Sequence, residues 1–153
     1  MGTVKRILFV CTGNICRSPT AEAVARAMAA ARERDADFVF DSAGIEGYHV
    51  GEAPDRRAIA RGRLRGYDLS PLRARRVVSH DFETFDLILA MDRDHLRALT
   101  RLAPSQHRHK VQMFLSASSA TGDGDVPDPY YGTNADFDRV LDLCEDAVPL
   151  LFE

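Results

Sequence analysis

The sequence predicts an α/β fold: a four-stranded parallel sheet with helices on both faces. Three observations carry this reading. Short, nearly unbroken apolar runs, foremost Ile7-Leu8-Phe9-Val10 and Leu87-Ile88-Leu89-Ala90-Met91, suit strands buried on both faces. Longer stretches with apolar residues at helical spacing stand between them. Strands alternating with helices require right-handed crossovers, and these cover a parallel sheet on both sides. Such sheets bind ligands at the carboxyl ends of their strands, so the residues just after each run matter most for chemistry.

The elements follow in order. Val4 to Val10 is the first strand, and Cys11 to Ser18 comes after it without a spacer. Pro19 opens an Ala-rich helix reaching near Arg34, with Ser18 as N-cap, Pro19 in the first helical position and Glu22 as a first-turn acid. Ala21, Val24, Met28 and Ala31 supply its apolar face. Phe38-Val39-Phe40 is a second strand, and Asp41-Ser42-Ala43-Gly44 reads as a turn. Pro54 to Arg65 is a second helix, stopped by Gly66. Leu87 to Met91 is the third strand, Arg93 to Leu102 the third helix, and Val111 to Leu115 the fourth strand. Ser116 to Asn134 is polar and carries Gly122, Gly124, Pro127, Pro129 and Gly132, which predicts a long loop of the kind that often serves function. Phe137, Val140, Leu141, Cys144, Val148 and Leu151 then give an amphipathic C-terminal helix. With no repeat and no linker, residues 1–153 read as one domain.

Composition excludes several function classes. A net charge of −3 gives no general attraction to nucleic acid or anionic membrane. No apolar run approaches the length of a membrane span. The start, Met1 to Arg6, has no signal-peptide pattern, and Arg6 stands where a myristoylation motif wants Ser or Thr. Three cysteines, an odd number without an extracellular framework, fit a reducing compartment, so the expected location is the cytoplasm.

The strongest chemical signal is Cys11-Thr12-Gly13-Asn14-Ile15-Cys16-Arg17-Ser18, a C-x5-R-S between a strand and a helix. Backbone N–H groups turned inward by such a loop form an anion nest, and the helix N-terminus adds its positive dipole. Gly13 and Asn14 are residue types that tolerate left-handed backbone. Arg17 returns to the rim, where its planar fork suits two phosphate oxygens. The same positive field favours a thiolate at Cys11, with Ser18 as a hydrogen-bond donor to it. Expulsion of an alkoxide or phenoxide also needs a proton. Asp128 is the candidate donor, because Pro127 and Pro129 stiffen the backbone and hold its carboxyl outward from the loop.

The loop from Cys11 to Ser18, together with Asp128-Pro129-Tyr130, resembles the low-molecular-weight protein tyrosine phosphatase family. The similarity runs on through Asp41-Ser42-Ala43-Gly44, Tyr48-His49-Val50-Gly51 and Phe85 to Asp92, nearly the whole chain in order. The resemblance implies a Rossmann-like phosphatase fold and a metal-free reaction through a phosphocysteine, with no cofactor. It implies Cys11 as nucleophile, Arg17 as phosphate clamp, and Asp128 as general acid and then base. Thr12, Gly13, Asn14, Ile15, Cys16 and Ser18 complete the phosphate loop, with Asn14, Ser18 and Ser42 as its hydrogen-bond network. Tyr48 and Tyr130 match aromatic walls for a flat phenyl phosphate, and the implied partners are phosphotyrosine-containing proteins. Cys16 has two readings: a small buried residue behind the loop, or, as the family suggests, a thiol that captures oxidised Cys11 in a disulfide. Two departures stand out: Leu72 occupies a position where many bacterial relatives have His, and Thr12 replaces the Leu of animal members.

Other residues carry plainer expectations. Cys144 belongs to the core. His107 and His109 lie on a basic turn without metal-ligand spacing, and His49, His80 and His95 receive no role. Arg56, Arg57, Arg61, Arg63, Arg65, Arg73, Arg75 and Arg76 crowd one region with few acids nearby in sequence, which reads as a solvated face or a dock for acidic substrate segments. Interleaved aromatics are absent there, against nucleic acid. Rival functions are an arsenate reductase on this fold, a phosphocarrier, and a non-catalytic phosphate-binding module. Against the first, Asp81 to His95 contains no Cys for a thiol relay. Against the others, Asp128 is available to hydrolyse a phosphocysteine.

Overall fold

Side chains on a strand alternate between the two faces of a sheet, so four consecutive buried residues demand cover on both. The computed structural model, which describes residues 3–115 and 124–153, meets that demand at β1 (Lys5–Cys11). Ile7 and Phe9 pack on one side with Ala21, Val24, Val140 and Leu141, while Leu8 and Val10 pack on the other with Phe82, Phe85 and Leu99. All strands are parallel, in the order β2 (Phe38–Gly44), β1, β3 (Leu87–Ala90), β4 (Val111–Met113). Helices α1 (Arg17–Ala31) and α5 (Asn134–Ala147) cover the first face. On the second lie α3 (Asp81–Thr84) and α4 (Arg93–Leu102), and α2 (Arg56–Leu64) packs against α5. The expected four-stranded parallel sheet with helices on both faces is the observed one.

Local differences from the expectation have physical causes. Helix α1 begins at Arg17 with Cys16 at its N-cap position, so Ser18 and Pro19 lie inside the first turn. Ser18 does not cap because its hydroxyl is engaged with the phosphate-loop residues instead. Glu22 is buried beyond the first turn. The helix stops at Ala31, short of Arg34, and its buried stripe is Ala21, Val24, Ala25 and Ala29 with Met28 half-buried, Ala31 being exposed. Asp41 to Gly44 is strand, not turn, because the ladder with β1 continues through Leu8↔Asp41 to Cys11↔Gly44. The long loop ends one residue early, since a capping box between Thr133 and Asp136 starts α5 at Asn134. Val148 and Leu151 lie on a following 3₁₀ turn, Val148–Phe152, still buried against α1. Residues 116–123 of the loop, with Gly122, and Met1 and Gly2 lie outside the described residues. Among the described residues no helix is long and apolar enough to cross a membrane.

Candidate active site

Cys11 ends the central strand β1, and the chain from there to Arg17 curls at the sheet's carboxyl edge. No side chain caps the first turn of α1, which leaves its N–H groups to an anion in the loop. Asn14 adopts the left-handed backbone (φ 58°) that such a curl needs. Gly13 does not; its role is space, because a Cβ there would sit 2.9 Å from the His49 ring.

Beneath the loop lies a buried hydrogen-bond chain whose direction the partners dictate. The Arg75 backbone N–H donates to Asn14 Oδ1 (3.0 Å), so Asn14 Nδ2 faces the two serines and donates to Ser18 Oγ (2.8 Å) and Ser42 Oγ (3.0 Å). The Ser42 hydroxyl in turn donates a hydrogen bond to Glu22 Oε1 at 2.6 Å. Ser18, with a lone pair committed to Asn14, has its proton free for Cys11 Sγ at 3.0 Å, closer than the Ala43 carbonyl at 3.5 Å. Burial raises the Glu22 carboxyl above its usual range, while hydrogen bonds from Ser42 and Arg26 oppose that rise.

Arg17 is buried and pinned. Its Nη1 donates to Asp92 Oδ2 (2.9 Å) and to the Val126 carbonyl (3.0 Å), and Nη2 lies 3.4 Å from Thr12 Oγ1 and 3.7 Å from Asp128 Oδ2. Asp92 also caps α4 by accepting from the His95 N–H at 2.9 Å. Burial opposes its ionisation, but the His95 N–H and Arg17 hold its carboxyl below the usual range. The His95 ring is buried against the loop, with Nε2 2.8 Å from Thr12 Oγ1. Its Nδ1 is 3.1 Å from Asp92 Oδ1 but out of line for a hydrogen bond. Burial first, then the Arg17 charge, push this imidazole down to about 4.

A cleft of about 350 Å³ opens over the loop. Cys11, Thr12, Gly13, Ile15, Cys16 and Arg17 form its floor, and Tyr48, His49, Asp128, Tyr130 and Tyr131 its walls. The Asp128 side chain is half exposed, and its Oδ1 accepts from the Tyr130 N–H at 3.1 Å. Tyr48 and Tyr131 are largely exposed, with the Tyr130 and Tyr131 rings edge-to-face at 4.9 Å. A second hollow of about 490 Å³ beyond Asp128 shares Arg17 and Asp128 but does not reach Cys11. Among the described residues no three His, Cys, Asp or Glu side chains converge as a metal site.

All twelve candidate site residues named from the sequence gather here: eleven on the loop or the cleft wall, and Ser42 beneath the floor. Cys16 is buried, and burial followed by the Asp55 charge pushes its thiol up. Cys144 is a core residue with no exposed surface. Sequence reasoning missed Glu22, Asp92, His95 and His49. An available signal was that Asp92 closely follows a parallel strand at the same sheet edge as Cys11. The arginine-rich region is a solvated face in part, with Arg56, Arg63, Arg73 and Arg76 exposed, while the other four arginines are engaged in ion pairs. Arg61 pairs with Asp138, Arg65 with Asp142 and Glu145, Arg75 with Asp41 and Asp81, and Arg57 with Asp55. Most of these acids lie on α5 or other elements far away in sequence.

Comparison with known proteins decides the family. Residues 6–153 match the sequence model of the low molecular weight phosphotyrosine protein phosphatases. The chain belongs to that family. A low molecular weight protein-tyrosine-phosphatase of Streptomyces coelicolor is 46% identical over 149 residues, covering 93% of this chain and 88% of the relative. The crystal structure of a protein tyrosine phosphatase from Entamoeba histolytica, with Hepes in its active site, superposes with a TM-score of 0.93 at 40% identity, covering 97% and 94% of the two chains. YfkJ of Bacillus subtilis superposes with a TM-score of 0.92 at 35% identity, covering 99% and 94%. The fold of this low molecular weight phosphatase is thus that of solved relatives along nearly its full length.

Proposed function

We propose that this chain hydrolyses phosphotyrosine in proteins, and small aryl phosphates, through a phosphocysteine and without a metal ion. The observation that carries the proposal is the convergence of Cys11, Arg17 and Asp128 on one tyrosine-walled cleft. A phosphate seated on the loop amides and the Arg17 fork presents its phosphorus to Cys11 Sγ. The S–P bond forms as the P–O bond to the phenol breaks, and Asp128 gives its proton to the leaving oxygen. Asp128 then takes a proton from water, the water oxygen attacks phosphorus, and the Cys11 thiolate leaves with Ser18 donating to it. Tyr48 and Tyr130 flank the space for the phenyl ring.

The same reading takes residues 1–153 as a single domain, supported by the one sheet to which the described elements attach. It places the protein in the cytoplasm, in keeping with three unpaired cysteines. Redox control through a Cys11–Cys16 disulfide is part of the proposal, since both thiols line the same floor. An arsenate-reductase relay lacks a third accessible thiol, because Cys144 is enclosed in the core. The test is side-by-side hydrolysis of aryl phosphate, phosphotyrosine peptide and arsenate turnover under chelation. Cys11→Ser should bind phosphate but turn nothing over, and Asp128→Ala should lower kcat/KM for phenyl phosphate far more than for nitrophenyl phosphate, a parameter that excludes the shared breakdown of the phosphocysteine. Residual turnover by Cys11→Ser, or equal losses of kcat/KM for both esters with Asp128→Ala, would refute the assigned roles.

A further inference from the structure

Nucleophile and proton donor stand on separate irregular segments, and their separation has to be fixed by something other than the sheet. We infer that Arg57 is the positioning residue that holds the Asp128 segment at its working distance from the phosphate loop. This inference rests on the proposed function, because it assigns Arg57 a part in the Asp128 step.

The path is continuous and every link has a distance. The Ile15 carbonyl, on the phosphate loop, accepts from the Asp55 backbone N–H at 2.8 Å. Asp55 is the N-cap of α2, and its carboxylate takes the Arg57 N–H (2.8 Å), Nε (3.1 Å) and Nη2 (3.0 Å). These bonds fix the plane of the guanidinium, whose face also lies over the buried Phe137 ring with Cζ 4.5 Å from its centroid. Burial opposes ionisation of Asp55, yet Arg57 holds its carboxyl below the usual range, so the pair stays charged. The remaining edge of the fork reaches the Asp128 segment: Nη2 donates to the Tyr130 carbonyl at 2.8 Å and Nη1 to the Gly132 carbonyl at 3.2 Å. The same Tyr130 offers its N–H to Asp128 Oδ1 at 3.1 Å. One side chain thus joins the phosphate loop, α2, α5 and the proton donor's segment. Only a planar fork with donors on several edges makes all these bonds at once; a Lys ammonium is a single point. Cys11 and Arg17 have separate anchors in Ser18, Asp92 and Val126. Losing Arg57 therefore loosens proton delivery and leaves oxyanion binding in place.

The experiment compares Arg57→Ala, Arg57→Lys, Asp128→Ala and the Arg57→Ala/Asp128→Ala double variant. Each is assayed on phenyl phosphate and nitrophenyl phosphate across pH, with inhibition by inorganic phosphate measured alongside. A displacement of about 1 Å at a reacting group costs ~10²-fold, so Arg57→Ala should lower kcat/KM on phenyl phosphate about 10- to 100-fold. On nitrophenyl phosphate, whose leaving group needs little help, kcat/KM should be nearly unaffected, because it excludes the phosphocysteine breakdown that both esters share, and inhibition by phosphate should be unaffected too. The basic limb of the pH–rate profile should flatten as in Asp128→Ala. The double variant should be no slower than Asp128→Ala alone, because the two residues act on one step. Arg57→Lys should not restore the phenyl phosphate rate, and it supplies the same readout where the alanine variant fails to fold. Equal losses of kcat/KM on both esters, parallel weakening of phosphate inhibition, or additive losses in the double variant would each overturn the inference. If Asp128→Ala shows the leaving-group effect and the Arg57 variants do not, the proposed function stands and Arg57 falls. A wild-type chain inactive on both esters overturns both.

Discussion

Replacing His95 by glutamine should flatten the acid side of the stability profile. The folded imidazole stays neutral down to about pH 4, because burial and the Arg17 charge outweigh the attraction of Asp92, Asp94 and Asp128. The unfolded chain titrates this group near 6.5. Between those values the unfolded state binds a proton that the folded state refuses, so stability is full above about pH 6.5 and falls as pH drops toward 4. At 1.4 kcal/mol per unit of displacement, the loss works out to about 1.4 kcal/mol at about pH 5.5 and about 2.6 kcal/mol at about pH 4.5. Urea unfolding of wild type and His95→Gln at about pH 7.5, 5.5 and 4.5 isolates this group, because the other titrations are common to both proteins. At neutral pH the variant should be the less stable by roughly 1–3 kcal/mol, having disturbed the bond to Thr12 and its packing. Its deficit should shrink, then vanish, as the pH falls. Two curves that stay parallel through that range would show that His95 is not the neutral buried base described here.

Three further outcomes follow from the same geometry. Asp92→Asn keeps a good helix cap but takes the counter-charge from Arg17, so it should cost about 2–4 kcal/mol, partly recovered by saturating phosphate; melting with and without phosphate checks this, and a wild-type-like Tm would refute it. Gly44→Ala places a Cβ 2.8 Å from the Thr12 carbonyl and 3.1 Å from Gly13 C, so about 1–3 kcal/mol of stability and much of the phosphate affinity should go together; unchanged phosphate inhibition would show that the loop accommodates the methyl. Peroxide inactivation should be reversed by dithiol in wild type but not in Cys16→Ser. Because burial and Asp55 push the Cys16 thiol up, disulfide capture followed by mass spectrometry should speed up as pH rises, and a pH-independent rate would argue against attack by Cys16.

Much of this molecule was legible in the sequence where local pattern and tertiary environment agree. The doubly buried strands β1 and β3 read as apolar runs, helix α4 has its expected bounds, and the C-x5-R-S loop declared its place between β1 and α1. The misreadings share a cause: polar residues were given local roles that the fold overrides. Ser18 has the chemistry of a cap, yet its hydroxyl serves Cys11. Glu22 reads as a first-turn acid, but it ends a buried chain of donors that begins at Arg75. Asp41 and Ser42 have turn composition but are drawn into the ladder with β1. The partners of Arg61 and Arg65 lie on α5, too far away in the chain for any local window to join them. His95 carries no motif, and only the packing of α4 against the phosphate loop gives it meaning.

The central place of β1 has a consequence for how the site fails. Ile7 to Val10 have no exposed surface and are paired with neighbours on both sides, so amides there should exchange with solvent only when the whole domain opens. Asp128 belongs instead to an irregular stretch outside the sheet ladder, half exposed itself and tethered by the Arg57 bonds to the Tyr130 and Gly132 carbonyls. On the proposed mechanism, nucleophile and proton donor would therefore belong to different cooperative units of the native ensemble. Under mild heat or denaturant the Asp128 segment should detach first, leaving a state expected to grip an oxyanion but no longer turn it over.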